Sequence, residues 1–360
     1  MIKALSDKFW QLMLLLTALI LPVTEAMAAR HAVVLQYQHI SDRTPPSKSA
    51  PLKDFISHLD YLEQNNYKVW PLEKIVKRIR NKQKLPDKVI AITFDNAYIS
   101  VFENALPQLA RRGLPFTVFV AAAPIMKEHP LYMSWDQLME VRRQGGSIGS
   151  MGLMATNMAK TLPGEFPKQK KARLQRELEL NEKALQKKLG IKPTLFAYPE
   201  GEADGQAKKL IKQMGYTGFG LQQGPASRFS STAYQPRFTA TGSAKNIQNL
   251  KVKLSSLPMP VRRVKGGNSI LLHDDNYPEA VVELYSGSYV LSGLRCKNRQ
   301  GLPVDHYLRG KENKPSFMIK SRRGENIGLV EYYCTAPHDK SSRFYWFSHT
   351  WIRPSEDGSW

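Results

Sequence analysis

Ile92-Thr93-Phe94-Asp95-Asn96-Ala97-Tyr98 ends a β-rich run that begins at Lys88. An apolar strand that terminates in a carboxylate and a polar turn is how an α/β barrel delivers a reactive group to its mouth. The neighbouring sequence has the matching rhythm. His31 to Tyr37, Tyr67 to Trp70, Val89 to Phe94, Phe116 to Ala121, Thr194 to Tyr198 and Tyr216 to Leu221 read as strands. Between them Leu52 to Asn65, Leu72 to Asn81, Val101 to Arg112, Pro167 to Leu189 and Ala207 to Met214 have helical spacing, which predicts parallel strands joined by crossover helices. After Pro260 the texture changes to short β-type runs at Ser269 to Leu272, Ala280 to Tyr285, Tyr289 to Cys296, Ser316 to Ser321, Gly328 to Cys334 and Phe344 to Trp351. The expected organisation is a deformed (β/α) barrel over residues 29–260 and a small all-β sandwich over 261–360, joined near Pro258-Met259-Pro260.

At 360 residues and 42% hydrophobic content the chain can fill two cores. Residues 1–28 have the layout of a secretory signal peptide: Lys3 and Lys8, an apolar run from Trp10 to Leu21, then Pro22 and Ala26-Met27-Ala28. The run is too short to span a bilayer, which needs ~20 apolar residues. Export to the periplasm or beyond is therefore expected. In an oxidising compartment the two cysteines, Cys296 and Cys334, read as a disulfide, with two buried thiols as the alternative. The net charge of +21 favours anionic partners, and export makes acidic glycans or an anionic membrane surface the fitting class rather than nucleic acid. Much of that charge lies between Lys168 and Lys188, which reads as a solvated helix face.

Several landmarks in order give a family resemblance. Val34-Leu35-Gln36-Tyr37-Gln38-His39, Ala91-Ile92-Thr93-Phe94-Asp95, Met133-Ser134-Trp135-Asp136-Gln137-Leu138 and Phe196-Ala197-Tyr198-Pro199-Glu200-Gly201 resemble motifs of the polysaccharide deacetylase family, the NodB homology domain. The likeness covers about His31 to Pro260 and points to exported exopolysaccharide and biofilm deacetylases. In that family the first Asp of a Thr-Phe-Asp-Asp motif is the general base and the second binds the metal. Two further ligands come from a His-Ser/Thr-x-x-His loop, whose place here is taken by Ile148-Gly149-Ser150-Met151-Gly152-Leu153-Met154-Ala155. The corresponding positions are thus Asp95, Asn96, Met151 and Ala155.

Family members use zinc or another divalent metal to polarise an acetamide carbonyl and to acidify a bound water, whose proton the Asp takes. An amide oxygen, a thioether and a methyl group make a poor zinc set, so the expectation is a chain without a metal cofactor, with Asp95 as a base that has no activated water to serve. The resemblance assigns Tyr98, Trp135, Tyr198, Glu200 and His39 to the groove. His39, Glu200 and Asp95 form an alternative, displaced site; otherwise His39 is a rim histidine and Glu200 a solvated acid. Leu271-Leu272-His273-Asp274-Asp275 resembles the family's last motif, but the β-type sequence after it favours a loop or strand-end role for His273. Phe344-Tyr345-Trp346-Phe347 and Trp351 suit either sugar stacking or a sandwich core. Three functions follow: a glycan-binding protein that has lost metal-dependent hydrolysis, an active N-deacetylase of an amino-sugar polymer, and an envelope scaffold.

Overall fold

The structure, a computed structural model, describes residues 31–242, 246–266, 270–272, 274, 277–311, 313–357 and 360. Residues 1–28 and His273 lie outside the described residues. Among those described, no helix is long and apolar enough to cross a membrane.

The barrel strands are β1 (His31–Tyr37), β2 (Lys68–Val69), β3 (Val89–Asp95), β4 (Phe116–Val120), β5 (Gly146–Ser150), β6 (Leu195–Ala197) and β7 (Thr217–Phe219). They pair in the order β1-β3-β4-β5-β6-β7, all parallel, with β2 alongside β3. Every residue of β1, β3 and β4 is buried, as expected of a parallel sheet covered on both faces. Gly149 in β5 is dictated by packing, since a Cβ there would lie 2.4 Å from the Phe119 ring.

Helices α1 (Leu52–Gln64), α2 (Leu72–Arg80), α3 (Leu106–Arg111), α4 (Ala122–Met126), α5 (Trp135–Arg143), α6 (Pro167–Leu189) and α7 (Gly205–Gln213) cover the strands. In α1 the residues Phe55, His58, Leu59 and Leu62 form the buried stripe. Helix α6 keeps its predicted bounds because Pro167 pre-sets its first turn and Gly190, at φ 68°, ends it in the left-handed region. The helix expected over Val101 to Arg112 opens with a π-wound turn, Val101–Ala105, ahead of Pro107, which has no N–H to return to the ladder. One expectation about α6 is corrected. Lys170 does not sit on a solvated face: it is buried, with Nζ 2.7 Å from Asp204.

The sheet does not close. Between β7 and β1 the gap is bridged by β8 (Ala226–Ser227), antiparallel to the start of β1, and by β9 (Phe238–Thr239), parallel to its end. Helix α8 (Ile247–Leu254) follows, and then the sandwich packs against this open side. It consists of two four-stranded sheets. One contains β10 (Leu257–Pro258), β13 (Arg295–Asn298), β16 (Gly328–Pro337) and β17 (Phe344–Arg353); the other contains β11 (Val261–Lys265), β12 (Glu279–Leu284), β14 (Asp305–Lys311) and β15 (Lys314–Lys320).

The α/β barrel followed by an all-β unit is thus the fold read from the sequence. Strands β11 and β14 escaped that reading because both are basic or polar runs at sheet edges, where no apolar alternation is needed. The run Tyr289 to Cys296 is not one strand either, since Leu291–Gly293 forms a 3-10 turn before β13. Cys296 and Cys334 face each other across β13 and β16, with Cα atoms 4.1 Å apart, and are joined by a disulfide.

The two parts share core. Trp346 of β17 is only 8% exposed and packs into the barrel's apolar cluster, its ring edge-on to Phe238 at 5.1 Å. The neighbouring Arg343 reaches back to Asp87 at 3.1 Å and to the Ser255 carbonyl at 2.7 Å.

Candidate active site at the barrel mouth

Asp95 is the last residue of β3, and the chain leaves it through two successive left-handed residues, Asn96 (φ 73°) and Ala97 (φ 53°). A non-glycine residue adopts this conformation only when its surroundings hold it there. Here the Ala97 carbonyl accepts from the Met133 N–H at 2.9 Å, and the Asn96 N–H donates to Met151 Sδ at 3.3 Å. The turn therefore brings the Asn96 backbone, next to Asp95, against the Met151 thioether.

The carboxylate of Asp95 is fully engaged. Its Oδ1 accepts from Arg237 Nη1 at 2.7 Å, while Oδ2 accepts from Arg237 Nη2 at 2.9 Å and from Gln36 Nε2 at 3.1 Å. Both partners of this bidentate pair are inside the protein, with side-chain exposures of 0% for Arg237 and 3% for Asp95. Arg237 also donates from Nη1 to Thr93 Oγ1 at 3.2 Å and from Nε to the Gly220 carbonyl at 3.0 Å. Sequence reasoning missed Arg237. It stands 142 residues from Asp95, just before the two-residue strand β9, in a stretch without periodicity.

Met151 is 2% exposed and lies in an apolar cluster with Phe119, Leu195, Ala197 and Phe219, against which Ala155 also packs. Ala155 takes a left-handed backbone, φ 53°. Tested against the divalent metal that the resemblance implies, these residues do not fit. The Met151 thioether already accepts a hydrogen bond, its surroundings are apolar, and Ala155 carries no donor. Among the described residues no group of three or more His, Cys, Asp or Glu side chains is arranged to hold a metal ion.

The remaining predicted residues divide. His39 stacks on Tyr98 with centroids 3.7 Å apart, and its Nδ1 lies 3.4 Å from Ser100 Oγ. Burial, and then Lys48, lower its pKa. The row continues from Tyr98 to Tyr132 at 5.1 Å and from Tyr132 to His129 at 5.3 Å. Burial and the Tyr132 phenol push the Tyr98 hydroxyl upward in pKa. Tyr132 and His129 also wall an open cavity of about 780 Å³, with Trp135, Asp136 and Lys188. Trp135 opens α5, whose start is fixed by a capping box between Ser134 and Gln137.

Tyr198 is a correction. It is 0% exposed and donates to the Ala233 carbonyl at 2.8 Å, packed with Phe196 against α6 and α7 rather than in any groove. Glu200 is exposed and accepts from Asn157 Nδ2 at 3.3 Å. The displaced site of His39, Glu200 and Asp95 is not assembled, since each of the three turns to different partners. In the sandwich Phe347 and Trp351 belong to the core and Trp346 to the barrel, so packing accounts for those aromatics.

Residues 82–219, which carry Asp95, Met151 and Glu200, match the family profile described as polysaccharide deacetylase. This central part of the barrel is similar to the polysaccharide deacetylase family. Among curated relatives, a putative polysaccharide deacetylase of Bacillus subtilis, YxkH, is 26% identical over 196 residues, 54% of this chain and 66% of that protein. The poly-beta-1,6-N-acetyl-D-glucosamine N-deacetylase of Staphylococcus aureus is 25% identical over 213 residues, 58% of this chain and 73% of that protein. The chain thus spans about two thirds to three quarters of these relatives. Among solved structures, the Streptococcus pyogenes deacetylase PplD superposes with a TM-score of 0.56 at 18% identity, covering 62% of this chain and 98% of that one. IcaB from Ammonifex degensii superposes with a TM-score of 0.54 at 21% identity, covering 63% and 98%. At such identities the superpositions speak for the deacetylase fold. More than a third of the chain lies beyond them.

Proposed function

We propose that this relative of the polysaccharide deacetylases is an exported glycan-binding protein that no longer hydrolyses acetamides, and that it holds an N-acetylated or acidic envelope glycan at the barrel mouth. The observation that carries the reading is the substitution of a hydrogen-bonded, apolar-packed Met151 thioether for an imidazole ligand, beside a carboxylate committed to Arg237. A base without an activated water contributes little, whereas the aromatic row His39, Tyr98, Tyr132 and the Trp135 cavity retain faces on which sugar rings stack. The relationship to a poly-N-acetylglucosamine N-deacetylase supports an amino-sugar polymer as the glycan. It also keeps active N-deacetylation as the rival reading.

The test is metal content after purification without chelator, measured together with acetate release from poly-N-acetylglucosamine. The expected result is no stoichiometric zinc and no turnover, with retained binding of the polymer. One equivalent of zinc, or turnover lost in Asp95→Ala, overturns the reading. As a constructive arm, Asn96→Asp with Met151→His and Ala155→His is expected to gain a zinc equivalent. His is among the residues that tolerate the left-handed backbone at position 155.

A further inference from the structure

The second sheet of the sandwich runs in the order β11-β12-β15-β14. From it Ala280, Val282, Phe317 and Ile319 enter the sandwich core. The other sheet meets that core with Tyr332, Cys334 and Trp351, and its opposite side turns Trp346 and Tyr333 to the barrel. The alternate residues of the second sheet therefore face away from the barrel. None of them belongs to the Asp95 site or to the aromatic row, so a role for this face does not rest on the reading above.

Register lines these outward residues up in rows across the strands. Lys265, Val281, Met318 and Tyr307 are successive cross-strand neighbours, and so are Arg263, Glu283, Ser316 and Arg309. With strands about 4.8 Å apart, Arg263 and Arg309 stand about 14 Å from each other across the face. Its charge is one-sided. Glu283 pairs with Arg262 at 2.7 Å and with Lys265 at 2.5 Å, while Glu279 and Asp305 pair with Lys320 and Arg322. Arg309 is exposed and pairs with no carboxylate among the described residues, and the exposed Lys311 and Lys314 extend the cationic surface beyond it. Tyr307, 49% exposed beside the half-buried Met318, supplies a ring. Such a face suits an anionic partner. A bilayer would call for protruding apolar anchors, whereas Val281 and Met318 sit half-buried between their neighbours. Single-stranded nucleic acid binds sheets by stacking two or three bases on successive aromatics, and among the described residues this face has one. An extended polymer of sugars with a carboxylate on some units needs one ring contact and widely spaced cations, which is what the rows offer.

We propose that the outward face of the β11-β12-β15-β14 sheet binds an acidic polysaccharide, with carboxylates on Arg263 and Arg309 and a sugar ring on Tyr307. The full chain would be titrated against fluorescein-labelled alginate fragments, a polyuronate, and followed by anisotropy. The expected result is saturable binding that weakens with salt and loses about tenfold in Arg263→Gln with Arg309→Gln. Tyr307→Ala is expected to lose about threefold, and to lose it at high salt as well. The control is Lys183→Gln with Lys187→Gln, which removes the same charge from the exposed side of α6 and should change the affinity by less than about twofold. Dextran and chitooligosaccharides, both neutral, should not compete. Equal losses in the two double variants would reduce the effect to net charge and overturn the proposal. Displacement by chitooligosaccharides would move the binding to the barrel mouth and overturn it as well. So would displacement by a single-stranded oligonucleotide or by phosphatidylglycerol vesicles at a lower concentration of charge than unlabelled alginate requires.

Discussion

Without the Arg237 side chain, Asp95 would stay buried with one amide donor from Gln36 as its remaining side-chain partner. Breaking a buried pair from one side leaves an uncompensated charge, so Arg237→Met is expected to cost about 3–5 kcal/mol in urea unfolding. Adding Asp95→Asn to that variant should recover a large part of the loss. If the double variant is as unstable as the sum of the singles, the two side chains are not coupled. The same pair shows how little of the site one motif can reveal. The Thr-Phe-Asp signature marks Asp95, and positions 96, 151 and 155 can be read off from the order of the motifs. Arg237 could not be, because a two-residue strand behind a proline carries no pattern. Tyr198 was misplaced for the related reason that a resemblance assigns positions along the chain, whereas the pleat sends this side chain to the helix-covered face of the sheet.

Among elements, α6 links the outer layer to the site through one polar residue. Asn181 is fully buried; its Nδ2 donates to the Val120 carbonyl at 3.0 Å and to Ser150 Oγ at 2.8 Å, and its Oδ1 accepts from the Ala122 N–H at 2.9 Å. These contacts hold the ends of β4 and β5, from which the chain turns into Met151. Asn181→Leu would orphan several of these groups, and a loss of about 2–4 kcal/mol is expected from the denaturation midpoint. A change below about 0.5 kcal/mol would mean that water replaces the amide. In the sandwich the disulfide spans 38 residues, so reducing it should destabilise this unit by about 4 kcal/mol on the chain-entropy account. Calorimetry with and without reductant checks the figure. The barrel elements were legible because their helices and inner strands obey strong periodicities. The edge strands β11 and β14 were not, since exposed basic residues satisfy an edge as well as a loop.

The molecule as a whole is held at its seam by a clasp in which Arg343 pairs with Asp87 and lies 3.5 Å from His31 Nε2. The His31 pKa is lowered to about 4, chiefly by burial and next by Arg343, with Asp87 acting against both. The folded protein therefore keeps His31 neutral, while the unfolded chain takes up its proton as the pH falls below the ordinary 6.5. Stability from this group is complete above that value and is lost progressively down to about pH 4, by up to about 3 kcal/mol. Denaturant midpoints at pH 7 and pH 4.5 should differ accordingly, and His31→Gln should flatten the difference. An unchanged slope in that variant would shift the effect to other buried groups such as His349, whose pKa burial also lowers to about 4.

By itself the sequence determined the barrel, the β-rich unit after it and the resemblance to the deacetylase family. All of these are written in local periodicity or in short ordered motifs, and neither depends on contacts across the chain. Only the tertiary structure decided that Asp95 is paired with Arg237, that Met151 packs among apolar side chains, that Tyr198 is core and that Trp346 plugs the open side of the barrel. Each of those is a meeting of residues far apart in sequence, set by strand register and helix packing.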